Sequence, residues 1–582
     1  MPDNFYSVTG KEWALKAIQE RKIDKLVQEL DISDFLARIV CSRNLDLIDS
    51  DIAEKWLEPR LKSELPSPFL LKDMSRAVKR IIDAFKHNQK IAIFGDYDVD
   101  GATSSALLYR TFQMFGAEAI IYIPDRIKEG YGPNISALDK LKNEGIDLLI
   151  TVDCGTTSFD EIDYANKINL DIIIIDHHNP EAKLPNAFAI VNPNRIDDNS
   201  GLGMLAAVGV SFMLAGAVKN TLIKINILKD DNAVNLTKVL DLVALGTICD
   251  VVPLIGPNRA LVKQGLKSMS RMNNLGIKTL FEISGIEDFP SVYHAGFVLG
   301  PKINAGGRVG QSELGAKLLT TNSSNDAKRI SLQLDNYNEE RKRLELEVFV
   351  EAKDMASQDD NSKVLVLSGN NWHSGVIGIV ASRIVEYYNK PTIIIAKNGN
   401  KSKGSARSVP GINIGQLITS AKQSGLLING GGHFMAGGIT IDEQKISDFK
   451  LFLNNKVTNK NIEDSNYIRW IDMAVSVSGL NPELYSQLKR AEPYGSGNPE
   501  PRFIIQNASI FGSKIVGENH INCSISDSTK ARINGIAFRS VGTKLGNALL
   551  NKNYFHVIGR FKLSNWNGAD RMQIFIEDLI EL

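Results

Sequence analysis

The sequence predicts a multidomain α/β protein that ends in a β-rich domain, and three observations carry that expectation. From residue 91 onward, short Ile/Val/Leu runs alternate with helix-length amphipathic segments; the alternation resumes between 364 and 397; beyond about residue 460 the apolar period falls to near two. Length agrees, because 582 residues exceed what one hydrophobic core serves and imply about two to four domains. Apolar residues at 43% and charged residues at 23% are globular values, which excludes whole-chain disorder, collagen-like sequence and a coiled-coil rod.

Taken in order, residues 11 to 90 place apolar positions at helical spacing, with Pro59, Pro66 and Pro68 breaking the pattern before a second helical stretch from 72 to 88. The runs IAIF (91–94), AIIYIP (119–124), LLITV (148–152), DIIIID (171–176) and AIVN (189–192) are continuous rather than alternating, as expected of a parallel sheet covered on both faces. GLGMLAAVGVSFMLAGAV (201–218) is uncharged, but it is Gly/Ala-rich and at the lower length limit for a membrane span, so a buried helix is expected. Its GLGMLA start follows the polar IDDNS and not a strand, which removes it as a dinucleotide loop. Residues 233–330 read as mainly helical, and the charged DNYNEERKRLELEVFVEAKDMA (335–356) as a helical spacer. A second α/β unit follows, with strand VLVLSG (364–369), helix GVIGIVASRIVEYY (375–388), strand TIIIAK (392–397) and the glycine-rich NGGGHFMAGGI (429–439). The final period near two predicts a small β-barrel or sandwich. The expected boundaries are a helical segment 1–70, a parallel-sheet domain with a helical extension 71–330, a connecting helix 331–358, a second α/β domain 359–460 and a β domain 461–582.

The formal net charge of zero is a cancellation: residues 1–250 sum to −9 and residues 251–582 to +9, with −6 in 151–200 and +6 in 501–560. Such an asymmetry suits metal-dependent phosphoester chemistry, in which carboxylates hold cations and Lys/Arg hold phosphates. The four cysteines (Cys41, Cys154, Cys249, Cys523) form no CxxC, so neither a disulfide framework nor a thiolate zinc site is indicated and a reducing cytosol fits. The N-terminal MPDNFYSVTGKEWALK lacks a basic region followed by an apolar core, so no signal peptide is expected.

FGDYDVDGATSSALL (94–108) puts Asp96, Asp98 and Asp100 within five positions, after a strand and before a helix. Three carboxylates this close repel one another, and a bound cation is the simplest compensation. Gly95 and Gly101 would let the chain turn sharply there. Three further strand-like runs end in potential ligands: LLITV before Asp153, DIIII before Asp176, His177 and His178, and LVALGTIC before Asp250. In a parallel sheet these ends emerge at one edge, where open α/β sheets bind ligands. Oxygen donors with imidazole and no thiolate suit Mn²⁺ or Mg²⁺, and the surplus of donors suits two ions about 3.5–4 Å apart.

GDYDVDGATS, VDCGTT, the literal DHH at 176–178 and TICDVVPL resemble the four motifs of the DHH phosphoesterase superfamily. With the second α/β unit, its GGGH (430–433) and the β-rich C-terminus, nearly the whole chain is similar to the superfamily's single-stranded-DNA exonucleases, most weakly over the first 70 residues. The resemblance implies a DHH domain, a DHH-associated domain and an oligonucleotide-binding (OB) barrel. It implies Asp98, Asp100, Asp153, His177 and Asp250 as ligands of two divalent ions, Mn²⁺ or Mg²⁺, with Asp153 shared and Asp96, Asp176 and His178 in support. The activity implied is 5′ to 3′ degradation of single-stranded DNA to 5′-mononucleotides in recombination and repair. Two roles stay open for His178: orienting phosphate or water, or hydrogen-bonding a ligand carboxylate.

Arg126 (PDRIKEGYG), Arg308 (INAGGRVG), Ser405 and Arg407 (GSARS), and the main chain of Gly431 and Gly432 beside His433 are candidate phosphate donors; each arginine taken alone reads as a solvated surface group, and it is the resemblance that implies the binding role, most strongly for Arg407. Trp372 and His373 (GNNWHSG) are candidates for base stacking or hydrogen bonding, and an anchoring role for the Trp is equally open. In the last domain Lys514, Arg532, Arg539, Lys552, Arg560 and Lys562 interleave with Phe511, Phe538, Tyr554, Phe561 and Trp566, a composition that fits single-strand binding. Alternatives are a DHH hydrolase of oligoribonucleotides or small phosphoesters, disfavoured by the extra β domain, and a non-catalytic DHH scaffold, disfavoured by the complete ligand set. The resemblance also implies a monomer acting in the cytoplasm, away from membranes, with single-strand-binding protein and a RecQ-type helicase as partners.

Overall fold

The computed structural model describes residues 4–43, 49–126, 129–229, 234–457, 468–566 and 569–582. The chain divides into two compact units, one formed by Pro59–Arg343 with Pro493–Pro499, the other by Met1–Glu58, Leu344–Glu492 and Glu500–Leu582.

The first unit is built on a parallel sheet with strand order Ala119–Tyr122, Ile91–Gly95, Leu148–Val152, Asp171–Ile175, Ala189–Val191. Successive side chains leave a strand on opposite faces, so two apolar layers form. Ile91, Ile93, Leu148 and Ile150 pack against the helices Met74–Lys86, Val99–Met114 and Ala207–Lys224, while Ala92, Phe94 and Leu149 pack against Ile135–Asn143 and Phe159–Lys167. The uncharged run is the buried helix Ala207–Lys224, and among the described residues no helix is long and apolar enough to cross a membrane. LVALGTIC departs from expectation: it lies in the helix Leu240–Cys249, buried from Leu240 through Ile248. A helix buried on every side is apolar all round, so periodicity cannot tell it from a central strand.

The second unit holds a five-stranded sheet of order Asn429–Gly432, Ala436–Ile441, Ser402–Arg407, Thr392–Ala396, Leu365–Gly369, parallel only between the last two. The glycine-rich segment is thus an antiparallel hairpin rather than an open turn. The long strands Phe503–Val516 and Tyr554–Trp566 close the barrel, which also contains His520–Ser526, Arg532–Ala537 and Ala569–Glu581. The expected helical segment 1–70 needs correction, because it opens with the strands Asn4–Tyr6 and Glu12–Leu15, the second pairing with Arg469–Ile471. Trp13, 1% exposed, donates its indole N–H to Asp578 Oδ2 at 3.0 Å, 565 positions along the chain. Partners this remote leave no local periodicity.

Candidate metal centre and nucleic-acid contacts

Three of the sheet's strands run straight into aspartates. The N–H groups of Asp96, Asp153 and Asp176 still extend the ladder, donating to Val152, Ile175 and Val191 carbonyls at 3.3, 3.0 and 3.1 Å, which fixes where each carboxylate starts. Gly101 is required by the crowding: a Cβ there would lie 2.4 Å from the Asp96 carbonyl oxygen. Asp98 caps the helix Val99–Met114, accepting from the Gly101 N–H at 3.0 Å. Asp100 accepts from the Ala207 and Val208 N–H groups at 2.7 and 2.9 Å. Asp250 reaches the same place from a helix C-terminus rather than a strand end. The residue after it, Val251, has φ +60° and is 69% exposed, a strained backbone for a β-branched residue and of a kind concentrated at functional sites.

These side chains converge on His177, whose Nε2 lies 3.4 Å from Asp153 Oδ1, 3.5 Å from Asp250 Oδ2 and 3.9 Å from Asp100 Oδ2. Ligand-type atoms within 4.8 Å of one another form three groups: Asp100, His177 and Asp250; Asp153, His177 and His178; Asp96, Asp98 and Asp153. Asp153 and His177 each belong to two of them. Asp96 Oδ1, Asp153 Oδ1, His177 Nε2 and Asp250 Oδ2 are buried without a hydrogen-bond partner, a costly condition that normally signals a missing ion or water.

Electrostatics agrees. Burial, then the neighbouring carboxylates, raises Asp96, Asp100 and Asp153 well above the usual range, and burial with the charge of Asp98 lifts Asp250 to about 7. Burial and the charge of His178 lower His177 to about 4, leaving a neutral imidazole, the form that ligates metal. Asp176 faces elsewhere: it accepts from the N–H groups of Thr156, His177 and His178 at 3.2, 2.8 and 3.2 Å and from His178 Nδ1 at 2.8 Å. Burial opposes the charged forms of both, yet the His178 hydrogen bond holds Asp176 below the usual carboxylate range, and Asp176 in turn holds His178 up at about 9.

Beside Asp96 and Asp98 lies a basic group. The Arg126 guanidinium stacks 4.8 Å over the Tyr97 ring, and Gly307, next to Arg308, is where a Cβ would touch Tyr97 at 3.1 Å. Burial and the charges of Arg126 and Arg341 lower Arg308 to about 10, so three guanidinium groups act on one another. Arg341, oriented by two hydrogen bonds to Asn338 Oδ1 at 3.0 and 3.3 Å, was hidden in the charge-rich spacer. Tyr131, also missed, donates to the Asp153 carbonyl at 2.9 Å; its Gly130 and Gly132 neighbours, both at positive φ, were the available signal. Tyr293 and Phe297 were missed as well. They stack at 5.6 Å and are 63% and 73% exposed, Tyr293 at the start of and Phe297 within the π-helix His294–Leu299, which packs on the turn ending in Asp250 through Cys249 Sγ to the Ala295 carbonyl at 3.5 Å.

The other predicted contacts belong to the second unit. Arg407 Nη1 donates to Ser405 Oγ at 3.2 Å, and a Cβ on Gly378, in the first turn of the helix Ile377–Tyr388, would lie 3.1 Å from that Oγ and 3.3 Å from Arg407 Nη2. His433 is exposed beside Gly432, on a hollow of about 420 Å³ bordered by Asn413, Gly415, Gln416 and Thr419. Gly431 is exposed on the same hairpin and has open space at its Cβ position. His373 Nδ1 accepts from the Gly375 N–H at 3.1 Å. Trp372 is not a stacking platform: it is 6% exposed and donates to Glu351 at 2.6 Å, so it anchors the domain. In the barrel Phe511, Phe538 and Tyr554 are 36%, 51% and 65% exposed, with Arg532 4.9 Å over the Phe511 ring. Phe561 is core at 1%. Arg560 and Lys562 pair with Glu500, and Lys552 pairs with Glu581. Lys514 and Arg539 lie exposed on the barrel surface. The Trp566 side chain lies outside the described residues.

Comparison with known proteins matches three family models: the DHH family N-terminal domain over residues 90–247, the DHHA1 domain over 361–459 and the RecJ OB domain over 471–578. The chain is 32% identical to the single-stranded-DNA-specific exonuclease RecJ of Bacillus subtilis over 573 residues, covering 97% of this chain and 70% of that one. It is 35% identical to RecJ of Haemophilus influenzae over 478 residues, 80% of this chain and 83% of the relative. The crystal structure of Thermus thermophilus RecJ with Mn²⁺ superposes with a TM-score of 0.81 at 27% identity, covering 98% of this chain and 79% of that chain.

Proposed function

The chain belongs to the RecJ family of single-stranded-DNA-specific exonucleases, and from that premise we propose how its own residues carry the activity. Its substrate is single-stranded DNA and its reaction is metal-dependent phosphodiester hydrolysis. Relatives from Thermus thermophilus have been crystallised with Mn²⁺ and with Mg²⁺. The donors here fit such ions, being carboxylate oxygens and imidazole nitrogens without thiolate. The observation that carries the assignment is the set of four buried, unpartnered donor atoms on Asp96, Asp153, His177 and Asp250.

Asp98, Asp100, Asp153, His177 and Asp250 would hold two divalent ions, with Asp153 available to both, and Asp96 would complete the side facing Asp98. When bound, the ions polarise the scissile phosphate, activate water at neutral pH and offset charge on the leaving oxygen. Asp176 fixes the main chain of both histidines, and His178, tied through Nδ1 to Asp176, keeps Nε2 for a phosphate oxygen or a water. Arg126, Arg308 and Arg341 bind phosphate at the Asp96 end, and Ser405, Arg407, Gly431, Gly432, His433 and His373 bind it in the DHH-associated domain. Tyr293 and Phe297 offer bases a stacking surface. Residues 71–330 form the catalytic domain, 331–358 the connector, 359–460 the substrate-binding domain and 461–582 the barrel that grips the strand. Degradation runs 5′ to 3′ and releases 5′-mononucleotides. The enzyme works as a cytoplasmic monomer in recombination and repair, with single-strand-binding protein and a RecQ-type helicase as partners; four free cysteines support the reducing compartment.

The test is a long single strand labelled at either end, incubated with Mn²⁺, Mg²⁺ or EDTA. Early loss of the 5′ label, a mononucleotide product and silence in EDTA are expected. First release from the 3′ end would reverse the polarity, and preference for dinucleotides would favour an oligonucleotide hydrolase.

A further inference from the structure

Residues 192–208 contribute no side chain to the acidic cluster, yet they touch three of its members. Asn192, fully buried, donates through Nδ2 to the His178 carbonyl at 2.8 Å and to Thr156 Oγ1 at 3.1 Å, while its Oδ1 accepts from the Asn194 N–H at 2.8 Å. Asn194 Nδ2 donates to the His177 carbonyl. The Ala207 and Val208 N–H groups hold Asp100. One segment therefore holds the main chain of both histidines and the carboxylate of an aspartate.

Polar contacts hold the first half of this segment in place, whereas Leu202, Leu205, Ala206 and Val208 tie its second half to the apolar core. Between Asn194 and Ser200 its one apolar side chain, Ile196, is 79% exposed. Arg195, 9% exposed, supplies the anchor: Nη1 donates to Asp73 Oδ2 at 2.8 Å and the Ile190 carbonyl at 2.6 Å, and Nε and Nη2 grip the Asp197 carboxylate at 2.8 and 2.9 Å. A Cβ on Gly203 would meet Asn194 Oδ1 at 2.6 Å, so the segment folds back closely over Asn194. Asn194 on the His177 carbonyl fixes the main chain from which Nε2 lies unpartnered among Asp100, Asp153 and Asp250. Outer hydrogen bonds of this kind help to orient a ligating imidazole.

We infer that residues 192–208 are a strap that sets the metal affinity of the centre, with Asn194 and Arg195 as positioning residues. The inference rests on reading the acidic cluster as the metal centre. Manganese binding to the metal-free full-length protein, followed by electron paramagnetic resonance without DNA, tests it directly. Asn194→Ala should weaken Mn²⁺ binding by about 10-fold or more, and Arg195→Lys, which keeps the charge and loses the fork, should weaken it less. Melting temperature without metal should stay within about 2 °C of wild type for Asn194→Ala, single-strand binding in EDTA should be unchanged, and saturating Mn²⁺ should restore turnover. Mn²⁺ affinity within about twofold of wild type in folded Asn194→Ala would overturn the strap, as would a loss of turnover that excess Mn²⁺ does not repair. If wild type binds no Mn²⁺, or Asp153→Asn binds it as well as wild type, the metal centre itself is wrong and the strap falls with it.

Discussion

The acidic centre and the C-terminal barrel solve opposite electrostatic problems. At the centre the frame is satisfied and the function is not: Asp100 and Asp176 are held by main-chain N–H groups, while four donor atoms aimed inward have no partner. In the barrel several candidate cations are already neutralised, Arg560 and Lys562 by Glu500 and Lys552 by Glu581, and the exposed aromatics with Lys514 and Arg539 are what remains on offer. A cation site gains from being preformed and unsatisfied, because the ion supplies the missing partner. A surface that grips a sliding strand needs only stacking faces and unspent positive charge.

Removing the shared carboxylate should break the contrast most completely. Asp153→Asn is expected to cut the exonuclease rate on the order of 10³-fold, read as nucleotide release at saturating Mn²⁺. Its metal-free melting temperature should stay level or rise, because one charge leaves a repulsive cluster. A variant with near wild-type rate would show that the centre does not depend on Asp153.

How much of this was legible follows the same division. Asp96, Asp98, Asp100, Asp153, His177 and His178 could be placed from sequence because each lies on or beside the end of a buried strand, and strand ends of one parallel sheet share an edge. Asp250 joins them from the end of a helix whose sequence reads as a strand. The N-terminal strands, Arg341, the Tyr293–Phe297 stack and the hold of Asn192 and Asn194 on the histidines depend on contacts between distant segments, which leave no periodic trace. Trp372, which the sequence leaves open between stacking and anchoring, and Phe561, one of several barrel aromatics, are placed in the core only by their burial.

The barrel half of the contrast can be sharpened with two phenylalanines. Phe561→Ala empties a core position 1% exposed and should cost about 3–5 kcal/mol in denaturant unfolding of the unit, with single-strand affinity of the folded fraction little changed. Phe538→Ala removes an exposed ring and should cost little stability. Single-strand affinity should fall by roughly 5- to 30-fold, measured in EDTA so that cleavage does not intervene. Equal effects of the two substitutions on binding would erase the distinction between core and platform.

The smallest effect concerns the unsatisfied centre without its ions. Asp250, lifted to about 7 from the usual 3.8, binds more protons in the folded chain than in the unfolded one, so it contributes stability that fades as pH rises through 7. His178, held up at about 9, acts in the same direction, its stabilisation fading above its ordinary value of 6.5. His177, lowered to about 4, acts oppositely but only below pH 6.5, where the unfolded chain takes up a proton that the folded one refuses. Between pH 6.5 and 8 the signs therefore agree, and the melting temperature of the metal-free protein should fall by a few degrees. Mn²⁺ should both raise the melting temperature and flatten this slope, since an ion held by Asp250 favours its charged form. A metal-free melting temperature that rises over this range would mean that the carboxylates are not mutually strained, and the contrast with the self-neutralised barrel would lose its physical basis.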